Sequence, residues 1–563
     1  MPAHVDHRRS RFCAFTSRRS ERRRRPWRWL CTALLLALSS AAVSACGGSS
    51  HTTTTPPSLR ADTAGPESMF TLGGGLGPNP QATLTELQHW GVQRLHVDIS
   101  WSEIAPDPTS TRRPQFAATN PAAYPAAGWA PFDTLVRGLA KRHMGIDLAI
   151  ASPVPAWAEA PGNKYDHQQS DWKPNPAEFG QFVTAVATRY SGHYTPPGQS
   201  SPLPRVNFWS IWNEPNLGIY LAPETASGSS PVEVAPLVYR GLVDAAWKAL
   251  QATGHGSDTI LIGETAPAGS SFKAALKGEF GVFGNMPPLQ FLRALYCVDA
   301  TYKPLRGTAA SQRGCPVTAA DSAKFAAQNP GLFHASGFAD HPYPQALPPN
   351  TATANEPDYA ELASIPKLER VLDQMQRLYG SSTKFPIWST EFGYVTNPPN
   401  SVLGGVPMKT AAYYLNWAQY ISWEDPRIKS YDQYLINDPS TKAGFASGVK
   451  FYNGKAKPTL AAYVLPLYLP IQNGSQGSPL VVWGQVRPAP YAVARSHRPQ
   501  TVGIQFAAGS GGAFKTVQRV KVTNPNGYFE VHQTFPSSGQ VRLRWSPPSG
   551  RTLLSRTVKV TIH

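Results

Sequence analysis

At 563 residues with 41% hydrophobic and 11% aromatic content, the chain is long enough for a large core and at least two domains. Its 55 prolines and 46 glycines punctuate apolar segments at intervals, the pattern of long loops and not of general disorder. The net charge of +17 is no sign of nucleic-acid binding: residues 1 to 30 hold ten arginines against Asp6 and Glu21, a net +8, which leaves +9 for the rest of the chain.

The Arg-rich start leads into WLCTALLLALSSAAV, about one export h-region long and short for a membrane span. Residues 1–45 are therefore predicted as an export signal. Val43-Ser44-Ala45-Cys46 resembles the bacterial lipoprotein cleavage box, in which the cysteine is lipidated; an ordinary signal peptide cleaved nearby is the alternative. Residues 46–66, beginning CGGSSHTTTTPPS, suit a flexible tether. The expectation is an extracytoplasmic chain held to the membrane only through Cys46, or a fully secreted one. Cys297 and Cys315 then remain, and a disulfide between them is predicted for an oxidising compartment, with two free buried thiols as the alternative. No second cysteine pair or close histidine pair flanks them, so no metal site is expected.

From residue 67 to about 470, short apolar runs alternate with helical patterns, the sign of βα units on a parallel sheet. In chain order the strand candidates are MFTLGG, RLHVDISW, GIDLAIAS, VNFWSIWNE, TILIGET, GFADHPY, FPIWSTEFGY and SYDQYLIND. After the fourth, Ser230, Pro231 and Glu233 supply an N-cap, a first-turn proline and a capping box. Val234, Leu237, Val238, Leu242, Ala245, Ala249 and Leu250 then form one face. Ile365, Leu368, Val371, Leu372, Met375 and Leu378 do the same before Gly380, a C-cap. Eight such units predict an α/β fold, a (β/α)8 TIM barrel over 67–470 enlarged by insertions. A doubly wound open sheet is the alternative, but GGGLG at 73 to 77 lacks the spacing of a phosphate-binding turn. After a linker at 471–477 the pattern turns to a period of two, with Val541, Leu543, Trp545 and then Val558, Val560, Ile562 alternating with polar residues, and Asn526-Gly527 as a hairpin turn. Residues 478–563 are predicted as a β-sandwich that either packs on the barrel or binds glycan.

In such a barrel, catalytic groups sit at the carboxyl ends of the strands. Glu214 ends the fourth predicted strand and Glu391 the seventh. Two carboxylates at one mouth divide the acid and nucleophile roles that glycosidic cleavage requires, a chemistry that needs no cofactor. Trp212-Asn213-Glu214-Pro215-Asn216, together with Ile387-Trp388-Ser389-Thr390-Glu391-Phe392-Gly393, resembles clan A of the retaining glycoside hydrolases, toward families 39 and 5. The resemblance spans most of 67–470 and includes KPTLAAYVL at 457–465 as a last barrel helix.

It implies a carbohydrate substrate, Glu214 as general acid and then base, and Glu391 as nucleophile, roughly 5 to 5.5 Å apart. Asn213 is implied at the sugar 2-hydroxyl. His341-Pro342-Tyr343 is similar to a His-x-Tyr beside the nucleophile, and a Tyr343 hydroxyl on Glu391 would keep it ionised, leaving Glu214 as the carboxylate whose pKa rises. Clan members carry a tryptophan after strand eight, where this chain has Tyr434, Asn437 and Asp438, so Trp101, Trp157 or Tyr434 is the expected sugar platform. Glu264, Asp98 and Glu103 are further candidate acceptors for sugar hydroxyls. Other functions compatible with these residues are a glycan-binding lipoprotein without turnover and a transglycosylase; a monomer is expected. The segments 102–130, 156–175 and 268–336 carry no readable specificity signal.

Overall fold

The structure, a computed structural model, describes residues 64–73, 76–161, 171–226, 232–270, 283–402, 404–441, 444–548 and 550–563. The predicted signal, Cys46 and the tether as far as residue 63 lie outside the described residues, as do Ser230 and Pro231.

All eight predicted barrel strands are present in order: β1 (Glu67–Thr71), β2 (Arg94–Ser100), β3 (Gly145–Ala151), β4 (Phe208–Ile211), β5 (Thr259–Thr265), β6 (Gly337–Asp340), β7 (Ile387–Ser389) and β8 (Ser430–Tyr431). Each pairs in parallel with the next from β1 to β7, and β8 pairs with β1. The ring closes where Ile387 donates to Arg427 O at 2.8 Å and Lys429 donates to Ile387 O at 2.8 Å, a parallel bridge between Ile387 and Ile428. A closed ring of parallel strands is a (β/α)8 barrel and excludes the open doubly wound sheet. The ladders are shorter than the apolar runs suggested, so residues expected at strand ends lie a few positions beyond them.

Side chains alternate across each strand. On β2, Leu95, Val97 and Ile99 join the large core shared with the helices, whereas Arg94, His96 and Asp98 face the barrel interior. Phe208, Leu261, Ala339 and the partly buried Trp388 close the interior below, with the Arg94 guanidinium 4.1 Å over the Phe208 ring. The helix after β4 begins at Ala235 with no side-chain cap, later than the predicted capping box. Glu233 instead accepts from Arg313 Nε at 2.7 Å and Gln290 Nε2 at 3.0 Å, so its carboxylate is spent on the neighbouring insertion and not on a helix end. Leu237 is exposed, while Leu242, Ala249 and Leu250 are buried as expected. The helix Ile365–Leu378 buries its predicted face apart from Leu378, and Gly380 takes the left-handed φ of 79° that ends it.

Between β5 and β6 an insertion carries the helices Pro288–Leu295, Gly307–Ser311, Ala319–Gln328 and Pro330–His334. Cys297 and Cys315 are disulfide-bonded there with Cα atoms 5.5 Å apart. The buried Arg240 reinforces the closure by donating to Leu295 O at 3.0 Å, Arg313 O at 3.0 Å and Gly314 O at 2.9 Å. Replacing both cysteines by serine is expected to lower unfolding free energy by about 3 kcal/mol, the loop-closure value for a crosslink of this span. Urea denaturation of the variant beside the oxidised parent checks this, and reductant should lower only the parent.

The C-terminal residues form two facing sheets. One holds β9 (Leu467–Tyr468), β11 (Pro479–Gln485) and β14 (Tyr528–Thr534); the other runs β10 (Asn473–Gly474), β17 (Val558–Ile562), β15 (Gly539–Trp545), β12 (Gln500–Ala508), β13 (Lys515–Val522), with β16 (Leu553–Leu554) on β15. Val482 and Phe529 pack against Val502, Ile504, Val541, Leu543 and Trp545 between them. Residues 471–477 are therefore not a free linker: β10 within them pairs with the last strand. Asn526-Gly527 is not a two-residue hairpin either, since β13 and β14 belong to different sheets and the turn carries the chain across.

The sandwich sits against the amino end of the barrel. Arg487, 1% exposed, donates to Tyr463 O at 2.6 Å, Gln419 Oε1 at 2.8 Å and Ser68 Oγ, and its guanidinium lies 3.9 Å over the Tyr463 ring. Tyr528 donates to Pro66 O and Asn526 to Gly65 O, so the end of the predicted tether is fixed to this domain. Arg487→Ala is expected to cost about 3 kcal/mol, because three acceptors lose their donor in a buried seam. Urea titration followed by tryptophan fluorescence measures it.

Candidate active site

Two glutamates reach the carboxyl end of the barrel by different backbone devices. The β4 ladder stops at Ile211, and the chain turns through left-handed conformations at Trp212 (φ 75°) and Glu214 (φ 41°) before Pro215. Such values strain residues with a Cβ by roughly 1–3 kcal/mol each, and they collect where surrounding contacts impose them. Here Glu214 N–H donates to Glu264 O at 2.8 Å, and the Trp212 indole donates to Tyr220 O at 3.0 Å. The turn therefore owes its direction to these two residues more than to Pro215. Asn216 staples it in place, accepting from Ala266 N at 2.9 Å and donating to Met286 O at 2.9 Å. On β5 the register shifts between Gly263 and Thr265, and Glu264, at φ 49°, is the extra residue of this bulge. A bulge re-aims its side chain, here into the barrel.

His341, fully buried after β6, ties three carboxylates together. Its Nδ1 lies 3.0 Å from Glu214 Oε1 and 3.7 Å from Glu391 Oε2, and its Nε2 lies 2.8 Å from Glu264 Oε2. Tyr343 donates its hydroxyl to Glu391 Oε2 at 2.8 Å, and Thr390 donates to Glu264 Oε2 at 2.6 Å. Glu214 and Glu391 line one cavity of about 100 Å³, with Asn213, Asp98, Tyr220 and Tyr434 among the other walls. Asn213 is 8% exposed, and its Oδ1 has no partner among the described residues.

The predicted residues divide into three groups. Glu214, Glu391, Asn213, Asp98 and Tyr434 meet at the cavity. His341, Tyr343 and Glu264 stand behind the two glutamates, so His341 and Glu264 act on the carboxylates and are not walls of the cavity. Trp101 and Trp157 are corrections. Trp101 is completely buried, stacked on Phe182 at 5.5 Å and edge-on to Trp157 at 5.7 Å, so no ring face is open to a sugar. Trp157 packs against Phe116 as well and donates its indole to Pro106 O. Glu103 is exposed on the short helix Trp101–Ile104, away from the cavity walls. Of the proposed aromatics only Tyr434 remains at the cavity, beside Tyr343 and Phe445.

A buried polar layer under the cavity was missed by sequence reading. His96 Nδ1 lies 2.8 Å from Asp147 Oδ2, which also accepts from Ser210 at 3.1 Å. Thr265 donates to Asp340 and Thr71 to Asp432. The signal was available in β2, where Arg94, His96, Asp98 and Ser100 alternate with Leu95, Val97 and Ile99: a strand covered by helices outside and polar inside.

Burial alone would strip the proton from His341, but Glu391, Glu214 and Glu264 reverse this and hold it well above the usual histidine range. Burial likewise opposes the charge on His96, yet Glu264 and Asp147 carry its pKa up to about 10. Glu264 stays ionised, lowered by His96 and His341 against its burial. Glu391 is pushed up to about 7, first by burial and then by Glu214, with His341 pulling the other way. That corrects the expectation that the Tyr343 contact would keep Glu391 low: one hydroxyl donor does not outweigh desolvation plus a like charge.

No family model matches the chain, and no curated protein matches it. Solved structures that resemble it include a family 39 glycoside hydrolase from Bacteroides cellulosilyticus WH2, at 13% identity over 84% of this chain and 80% of that one with a TM-score of 0.44. A glucosidase from Croceicoccus marinus is similar at 12% identity over 88% and 96%, TM-score 0.43. A β-glucosidase from Thermotoga maritima in complex with castanospermine is similar at 14% identity over 70% and 94%, TM-score 0.40. The barrel is established by its own strand order and closure, independently of these likenesses.

Proposed function

We propose that this protein is a retaining glycoside hydrolase. The observation that carries the reading is the convergence of Glu214 and Glu391 on one cavity around one imidazole nitrogen, which is hydrogen-bonded to Glu214 at 3.0 Å and lies 3.7 Å from Glu391. Two oxygens at 3.0 and 3.7 Å from the same atom lie less than about 7 Å apart, a spacing compatible with the roughly 5–5.5 Å of retaining pairs.

In the first step Glu391 attacks the anomeric carbon as Glu214 gives its proton to the leaving oxygen. The glycosidic bond breaks and an ester to Glu391 forms. Glu214, now a carboxylate, takes a proton from water, whose oxygen attacks the same carbon and frees Glu391. Tyr343 holds Glu391 Oε2, which leaves Oε1 as the attacking atom. Asn213, with an unpartnered oxygen at the cavity wall, is placed for a sugar hydroxyl beside the reacting centre. A transglycosylase would use the same first step with a sugar hydroxyl in place of water. A binding protein without turnover would have no use for an acid and nucleophile pair.

We further propose export with a lipid anchor at Cys46; the disulfide supports an oxidising compartment. A panel of aryl glycosides and cell-envelope polysaccharides tests the function. Release of aryl alcohol from at least one glycoside is expected, and Glu391→Gln should abolish it.

A further inference from the structure

We propose that the cavity accepts one terminal sugar ring that bears no acid group, with Asp98 accepting a hydrogen bond from one of its hydroxyls. The inference rests on the glycosidase reading and narrows its substrate class.

At about 100 Å³ among the described residues the cavity is well below the roughly 300–1,000 Å³ of drug-sized sites, a size that suits a single ring. Its charged walls among the described residues are three carboxyl groups, Asp98, Glu214 and Glu391; no lysine or arginine lines it. The two cations nearby, His96 and His341, are fully buried and already face carboxylates.

Two acceptors at the cavity have no hydrogen-bond donor among the described residues. Asn213 Oδ1 is buried and unpartnered. The Asp98 side chain is 40% exposed, and its nearest cation is His96 Nε2 at 3.9 Å, beyond hydrogen-bond length. With Glu214 and Glu391 assigned to the reaction, Asp98 is the remaining carboxyl group among the described walls. A ligand matching these walls brings hydrogen-bond donors, which a neutral sugar supplies through its hydroxyls. A uronic acid would bring a further carboxylate beside these acidic groups, against walls that among the described residues offer it no counter-charge.

The test uses pairs of aryl glycosides that differ only at the sugar's terminal carbon, hydroxymethyl in one and carboxylate in the other, with the full chain as enzyme. For the better-cleaved pair, kcat/KM is expected to be at least a hundredfold higher for the neutral member. Asp98→Ala should raise KM for that substrate more than tenfold with a smaller change in kcat, and Asp98→Asn, which keeps an acceptor oxygen, should recover part of it. Thermal unfolding of both variants verifies that they fold. An acid member cleaved within tenfold of its neutral partner, or an unchanged KM in a folded Asp98→Ala, overturns this inference and leaves the glycosidase reading standing. No cleavage of any glycoside by the unaltered chain overturns the glycosidase reading and this inference with it.

Discussion

Glu391→Ala and Glu214→Ala are each expected to lower kcat for a susceptible aryl glycoside by roughly 10⁴-fold or more, because on the proposed mechanism each removes a group that forms or breaks a bond in the rate-determining chemistry. Azide separates the two roles. In Glu391→Ala the anion fits the space of the lost carboxylate and attacks the substrate directly, giving a glycosyl azide of inverted configuration. In Glu214→Ala, with an activated leaving group, the ester to Glu391 still forms, and azide attacks it to give a product of retained configuration. Both variants should keep the parent's circular dichroism, since these carboxylates lie at the cavity wall and not in the apolar core. Near-parental turnover in both variants would remove the assignment.

The second large effect is expected at His341. The residue is fully buried and does not line the cavity; it places a buried positive charge between the carboxylates and lowers the pKa of Glu391, which burial and Glu214 hold near 7. On the proposed mechanism Glu391 attacks only when ionised, so kcat/KM should fall about tenfold per unit as pH drops below 7, and it should fall again toward alkaline pH as Glu214 loses the proton it must donate. His341→Gln keeps a hydrogen-bonding side chain but deletes the charge. The carboxylate then loses its stabilising neighbour, its pKa rises, and the acid limb moves to higher pH, with a loss of roughly a hundredfold at neutral pH. A purely structural role would scale the whole profile through the folded fraction and leave its midpoint in place. The pH dependence of kcat/KM for both proteins distinguishes the two.

The barrel was legible because each parallel strand is a short apolar run followed by a helix with a clear face, as in RLHVDISW or the segment from Ile365 to Leu372. Glu214 and Glu391 were legible as carboxylates beyond two of those runs. Trp101 was misjudged because proximity to a strand end does not reveal which way a side chain turns; the short helix it opens folds the ring back among Phe179 and Phe182. Glu264 was found without its role, since nothing in TILIGET marks the bulge that directs it toward His341. The layer of His96, Asp147, Asp340 and Asp432 does not show in a pattern of short apolar runs, although alternate strand residues are polar where they face the barrel axis. Residues 471–477 looked like a linker by composition, but pairing of β10 with a strand more than eighty residues later is a long-range contact that local composition does not encode.

The central claim is that Glu391 forms a covalent bond to the sugar while Glu214 manages the proton. Proton NMR of the first sugar released from an aryl glycoside, recorded before mutarotation, tests it most directly. Retention of the substrate's anomeric configuration is the predicted result, and a product of opposite configuration would contradict the account.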